Sequence, residues 1–476
     1  MLYAVVLIGI LAVLLAVSIH RSFFVKSKAD FMVAGRRLGW PVLVFTLLSS
    51  WIGAGSLFAG AENAFHNGFA SLWQPAGGWV GLVVIVLIAG RARRFAQYTV
   101  PDLLEARYDS FARVCGTVAI VIAYTGITSY QFRAGGDILH LIFPDAIGRQ
   151  EGMYIIALFV ITFTALAGMS SVAYLDLVIG LLVTVTACVA LPVLIGVAGG
   201  WSGVRAALPD NHFTVLGPWR WYQALNYFLP VLFLLLGNQA MYQKFFSARS
   251  ERDAKISVAG WILGTLLLET VIIALAVVGS ALYKDAVPRE IIPVAARAGL
   301  PAVLGALLLG GVFAKVISTG NNYLFSPASN LIHDVYHRFL NPQANERQLL
   351  VFSRLIVIGL GVFAVLLAAH TESILRVALY AYTVYGAGVT PAVLAAFFWK
   401  RANAKGALAS IVIGTAITIG WNLMADYGPP GVFASLARDV DAVVPALIFS
   451  LLALVTVSLA TPAPPEEKWR AVMPAA

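Results

Sequence analysis

Gly310-Gly311-Val312-Phe313-Ala314-Lys315-Val316-Ile317-Ser318-Thr319-Gly320-Asn321-Asn322 lies inside a long apolar run, yet it carries a lysine, two adjacent hydroxyls and two amides. Lipid cannot solvate such groups, so they must face protein, water or a bound ion. The Ser-Thr pair points to a small cation. The lysine one turn before it opposes the simplest version of that idea.

The surrounding composition places this run in a membrane. Of the 476 residues, 60% are hydrophobic and 12% charged, against roughly 25% charged in a soluble domain. Mean hydropathy is +0.85. Apolar runs of about 20 residues recur from end to end, which is the pattern of an all-α polytopic membrane protein. The net charge of +9 therefore expresses a bias of the loops and no affinity for nucleic acid. Cys115 and Cys188 both fall in apolar runs and are expected as small buried residues without a disulfide. The first apolar run, ending near Ala16-Val17-Ser18, has no Lys or Arg before it, while Arg21, Lys26, Lys28, Arg36 and Arg37 follow. That polarity predicts an uncleaved first span with its N-terminus outside.

Thirteen spans are expected, roughly at 3–19, 41–64, 70–90, 110–142, 152–170, 174–198, 222–240, 257–283, 300–333, 349–369, 373–398, 405–424 and 442–460. With the N-terminus outside, 22 of the 32 Lys and Arg residues fall in inside segments and 7 in outside ones; Arg133, Lys315 and Arg376 lie within spans. The positive-inside rule favours this orientation, with the C-terminus inside a bacterial-type cytoplasmic membrane. Residues 1–40 form an N-terminal helix and inside loop. Ten core spans then divide into 41–198 and 222–398, joined by the external loop 199–221, and 399–476 adds two helices and a short tail. Five spans per half give the halves opposite orientation, the arithmetic of an inverted repeat. Leu48-Ser49-Ser50-Trp51-Ile52-Gly53-Ala54-Gly55-Ser56 and Gly237-Asn238-Gln239 lie in the first span of each half. Small and polar residues there predict either local unwinding, which frees carbonyls for an ion or solute, or close helix packing.

Other functional classes lack their residues. The seven histidines show no ligand spacing for a membrane-embedded metalloenzyme. No filter loop or ring of like charge suggests a channel. The tail from Thr461 is too short for a signalling domain, which leaves a non-transporting solute sensor as an alternative to a carrier. No cofactor is implied, and no nucleotide-binding loop is present.

Five motifs in order give a more specific expectation. They are Asp30-Phe31-Met32-Val33-Ala34-Gly35-Arg36-Arg37-Leu38-Gly39-Trp40, Thr99-Val100-Pro101-Asp102-Leu103-Leu104-Glu105-Ala106-Arg107-Tyr108, Asn238-Gln239-Ala240-Met241-Tyr242-Gln243-Lys244, Ser318-Thr319, and Pro391 through Lys405. In these the chain resembles the sodium/solute symporter family over nearly its whole length. The resemblance implies the LeuT-type five-plus-five inverted-repeat fold with one extra helix before it. It implies sodium-coupled import of a small polar solute by alternating access. It also implies one sodium site, formed by the backbone carbonyls of Ser49 and Ile52, the carbonyl of Lys315, and the hydroxyls of Ser318 and Thr319. Five mostly neutral oxygens suit a hard monovalent ion that must later be released. Asp176 matches an acidic residue the family keeps near this site, although Leu175 and Ile179 depart from the usual Thr and Gln around it.

Lys315 is the larger departure, since a small residue is usual there. It shares a helix face with Ser318 and Thr319. An ammonium about 5 Å from sodium, at an effective dielectric near 20, would repel it by roughly 3 kcal/mol. Three resolutions are open. The side chain leans away toward the helix N-terminus; it pairs with a carboxylate, Asp176 being the best placed; or it replaces sodium in a proton-coupled or ion-independent carrier, its amine releasing and regaining a proton.

A solute in such a fold sits at mid-membrane beside the broken helices. The candidates to line it are Trp51, Ser56, Gln74, Tyr130, Gln131, Asn238 and Tyr385, whose polar tips need partners in apolar spans. The alternative for each is a hydrogen bond between helices or an interfacial position. The set suits a small polar organic molecule, with an amino acid or carboxylate favoured. Arg133 and Asp137, four residues apart, are expected to pair along one helix face. Glu62 and Glu269 also lie in or near spans, with no role separable from the sequence.

Overall fold

The computed structural model describes residues 1–23, 32–95, 98–370, 373–470 and 472–473. Lys26, Lys28, Asp30 and Phe31, used above, lie outside them. The described residues form helices and no strand, apart from an isolated bridge between Leu38 and Ala248. Fifteen helices carry the architecture: α1 (Leu2–Ser22), α2 (Trp40–Trp51), α3 (Ala61–Asn67), α4 (Trp73–Phe95), α5 (Ser110–Ile142), α6 (Arg149–Val197), α7 (Trp221–Gly237), α8 (Gln239–Ser247), α9 (Glu251–Leu282), α10 (Ala302–Asn330), α11 (Glu346–His370), α12 (Ile374–Gly388), α13 (Thr390–Phe398), α14 (Ala404–Tyr427) and α15 (Val443–Ala460). Among the described residues, 11 helical segments are long and apolar enough to cross a membrane, and Leu2–Val17 and Trp40–Trp51 are shorter apolar helices. The chain is a multi-pass membrane protein. The spans expected over 152–170 and 174–198 run as one helix of 49 residues, α6, because the small residues between them carry no proline to end it.

The polar run quoted first lies in α10. α10 packs against α5 and α6, and nearly every residue from Gly305 to Asn330 is buried. A helix apolar or small on all sides belongs inside a bundle, away from lipid. Small residues set the approach distances elsewhere too. A Cβ at Gly77 of α4 would stand 2.1 Å from the carbonyl oxygen of Phe228 on α7, so this crossing needs glycine.

Both expected helix breaks occur. α2 stops at Trp51, where Ile52 turns to an extended conformation (φ −88°, ψ 106°), and helix resumes as a π-helical turn over Gly55–Gly60 leading into α3. α7 stops before Asn238 (φ −54°, ψ 109°), whose side-chain oxygen caps α8 by accepting from Met241 N at 3.3 Å. The segments beside these broken helices are tied together. Leu38 N donates to Ser247 O at 3.2 Å, Arg249 N to Leu38 O at 2.8 Å, and Trp40 N to Asp253 Oδ1 at 3.1 Å.

Charged networks mark the two ends of α5. Near its C-terminal end, Asp137 accepts from Arg149 at 2.9 Å and Arg289 at 2.8 Å, and Arg149 also contacts Glu290. This corrects the expected pairing with Arg133, which donates instead to the carbonyl of Ala368 at 2.9 Å. A pair along one helix contributes only a few tenths of a kcal/mol, so two guanidinium groups arriving from other segments displace it. Near the other end, Arg113 contacts Asp102 and Glu105, and His333 lies 3.1 Å from Asp102. Asp102, His333 and Asp334 are close enough together to hold a metal, but Arg113 already brings the positive charge to them.

Asp137 is 2% exposed, so removing it leaves two arginines facing a buried gap. Asp137→Ala is expected to destabilise the protein by about 3 kcal/mol, read as a clear fall in the unfolding temperature of the detergent-solubilised protein. Arg133→Ala is expected to lower it much less.

Candidate ion and solute sites

The gap between α2 and the Gly55–Gly60 turn faces α10. Unwinding at Ile52 leaves carbonyls without helical partners, and the Thr319 hydroxyl reaches two of them: Oγ1 donates to Ser49 O at 3.0 Å and approaches Ile52 O at 3.3 Å. Gly53 permits this approach, because a Cβ there would lie 2.6 Å from Thr319 Oγ1. Three of the five oxygens expected to hold sodium therefore converge. Ser318 Oγ, the fourth, is turned to Asp176 and donates to its carboxylate.

Asp176 is fully buried and also accepts from Thr46 Oγ1 at 2.7 Å. Lys315, likewise buried, is one turn before Ser318. Its Nζ leans to the α6 side, 3.9 Å from where a Cβ on Gly180 would stand, in the direction helical side chains take. Among the described residues it makes no hydrogen bond and no ion pair within 4.0 Å, so of the three resolutions direct pairing with Asp176 is absent. Asp176 is nevertheless the carboxylate whose field reaches it. A second buried lysine, Lys244 on α8, donates to Asn322 Oδ1 at 3.1 Å, and Asn322 in turn donates to Ser318 O at 3.0 Å. The sequence pointed to Lys244 only as part of a motif. Its link to the ion region depends on α8 packing against α10.

A small cavity opens beside the same gap. Its wall contains Trp51, Ser56, Gln74, Tyr130 and Gln131 of the expected solute residues, and Gly53 and Thr319 of the ion region. Gln131 Oε1 accepts from Ala54 N at 3.0 Å, while its Nε2 has no hydrogen-bond partner. Tyr130 and Tyr382 share a hydroxyl contact of 3.1 Å. Asn238 and Tyr385 are not in this wall. Tyr124 donates to Asn238 Oδ1 at 2.9 Å, Asn238 Nδ2 donates to Tyr323 at 3.0 Å, and Tyr385 donates to the freed carbonyl of Gly237. They hold the second break together, which is the interhelical alternative weighed for them above.

Glu269 of α9 also lines the cavity. Its oxygens accept from Trp51 Nε1 at 3.1 Å, Ser56 Oγ at 3.3 Å and Trp79 Nε1 at 3.0 Å. Its position in mid-span was the available signal, since an ionisable residue there marks a functional site by default. Its direction was not legible until α9 packed against α2 and α4.

A helix broken opposite a buried hydroxyl pair, with a cavity touching both, is the arrangement of an ion-coupled secondary transporter. Comparison with known proteins agrees. Residues 31–414 match the sodium:solute symporter family. An osmoregulated proline transporter of Bacillus subtilis is 25% identical, over 93% of this chain and 91% of its own. The sodium/pantothenate symporter of Escherichia coli is 26% identical, over 89% of each. In structure, the chain is similar to a substrate-bound outward-open Na+-coupled sialic acid symporter, with a TM-score of 0.82 at 18% identity, covering 97% and 98% of the two chains. This chain belongs to the sodium:solute symporter family. Its activity is sodium-coupled solute import by alternating access.

Gly53→Val is expected to push Thr319 from the α2 carbonyls at a cost of about 1–3 kcal/mol. Sodium-dependent uptake should fall with it, and the sodium concentration for half-maximal stabilisation should rise. Wild-type sodium dependence in that variant would separate Thr319 from the ion.

Proposed function

We propose that the chain imports a small polar organic solute together with sodium across a cytoplasmic membrane, with its N-terminus outside and its C-terminus inside. The loop bias of Lys and Arg supports the orientation. In this reading the core is two inverted five-helix repeats, 41–198 and 222–398, with the other helices outside it. Sodium binds to the carbonyls of Ser49, Ile52 and Lys315 and to the hydroxyls of Ser318 and Thr319. The observation that carries this assignment is the Thr319 hydroxyl lying within hydrogen-bonding distance of both α2 carbonyls. On ion entry the hydroxyl turns its lone pairs to sodium in place of its donated hydrogen bond. Release follows when α10 separates from α2, which dismantles a site shared between them.

Asp176 and Lys315 act as a buried charge couple beside that site. The carboxylate offsets the lysine, and the lysine's lean toward α6 keeps its charge off the ion. A second reading is proton coupling with Lys315 in the cation's place, favoured by one observation: its Nζ is buried without a hydrogen-bond partner. The solute occupies the cavity lined by Trp51, Ser56, Gln74, Tyr130 and Gln131. Relatives named for proline and pantothenate support an amino acid or carboxylate.

The test is the unfolding temperature against sodium, with potassium holding ionic strength constant, for wild type, Thr319→Ala, Ser318→Ala and Lys315→Ala. Saturable stabilisation is expected in wild type, about 2.7 kcal/mol at a hundred times Kd. It should be lost in Thr319→Ala, weakened in Ser318→Ala and kept in Lys315→Ala. A sodium effect absent from wild type but appearing in Lys315→Ala would sink this reading and put Lys315 in the cation's place, in a proton-coupled or ion-independent carrier.

A further inference from the structure

Glu269 differs from four other buried carboxylates, Asp137, Glu290, Asp102 and Asp176. Asp137 and Glu290 are met by Arg149 and Arg289, Asp102 by Arg113, and Asp176 lies in the field of Lys315 and Lys244. Glu269 is 4% exposed, and all three of its hydrogen-bond donors are neutral: two indoles and a hydroxyl. No lysine, arginine or histidine is in the cavity wall. Among the described residues no basic group acts on this carboxylate.

These donors have a direction. An indole N–H only donates, so Trp51 and Trp79 each require an accepting oxygen, which Glu269 supplies. A positively charged group entering the cavity meets this carboxyl group and, among the described residues of the wall, no competing basic side chain. The rest of the wall fits such a visitor. Trp51, Tyr130 and Tyr382 line the same cavity as Glu269, and an aromatic ring offers a cation a negative face.

We propose that the transported solute carries a positively charged nitrogen that docks against Glu269 within the ring formed by Trp51, Tyr130 and Tyr382. The proposal rests on the reading of this cavity as the solute site. It narrows the solute from small polar molecules in general to ammonium, iminium or quaternary nitrogen compounds, zwitterions included. Solutes that are net anions without such a nitrogen are excluded, because the wall offers them no basic side chain and places a carboxylate in their way. Glu269 is then the residue that sets specificity, and the sodium region at Thr319 is left to coupling.

The experiment uses the full-length protein in detergent at saturating sodium and records the unfolding temperature against proline, glycine betaine, choline, pantothenate and glucose. A saturable rise is expected with at least one of the three nitrogen cations and with neither pantothenate nor glucose. Glu269→Gln, which keeps the shape but leaves only one accepting oxygen for the two indoles, should raise the half-saturating concentration of that solute roughly ten- to hundredfold. Its stabilisation by sodium alone should stay intact, which shows that the variant folds. Tyr382→Ala tests the cavity separately. If Tyr382→Ala abolishes the solute effect and Glu269→Gln does not alter it, the cavity reading stands and the charge assignment fails. If neither variant alters it, the cavity reading itself fails. Saturable binding of pantothenate or glucose, or of no nitrogen cation, overturns the proposal. So does uptake of a neutral solute driven by a pH gradient and lost in Glu269→Gln, which would make the carboxylate a proton carrier.

Discussion

The structure turns on the contact between one hydroxyl and two carbonyls. Inside a bilayer every backbone oxygen needs a partner, and a broken helix leaves several without one. Thr319 supplies what the break at Ile52 removes, and it does so from a different helix. The break is therefore stable only while α10 stays against α2. A single contact thus links the conformation of a helix, the packing of the bundle and the availability of oxygens to an ion. Gly53 is small because the hydroxyl has to come that close.

Charge is distributed around this contact with similar economy. Asp176 takes the Ser318 and Thr46 hydroxyls, so its own charge is held at one side of the ion region. Lys315 leans past it toward α6, and Lys244 approaches from α8 through Asn322. Lys315, Lys244 and Asp176 are all buried. At the two ends of α5, arginines meet Asp137 and Asp102. The cavity differs. Its carboxyl group, Glu269, is held by neutral donors alone.

Ion region and cavity share a wall. Gly53 and Thr319 belong to both, and Trp51, at the end of α2, donates to Glu269. Whatever moves α2 relative to α10 moves the solute's surroundings as well. This is the physical content of coupling in such a fold: two ligands share one flexible joint and each stabilises the same arrangement of it.

The sequence by itself determined that this is a helical membrane protein and where most helices run, and it marked Ser49–Ser56 and Gly237–Gln239 as places of either unwinding or close packing, of which the structure shows unwinding. Those properties follow from hydropathy, span length and local backbone chemistry, which neighbouring residues settle among themselves. The resemblance to a family implied that Ser318 and Thr319 face the first break, and Thr319 does. Only the tertiary structure decided where polar side chains point. Asn238 and Tyr385 turned to the second break, Arg133 turned from Asp137 to a carbonyl, and Glu269 turned into the cavity. A side chain on a buried helix has neighbours on every side, so its direction is set by which helix packs against which face. Nothing in the spacing along one chain segment carries that information.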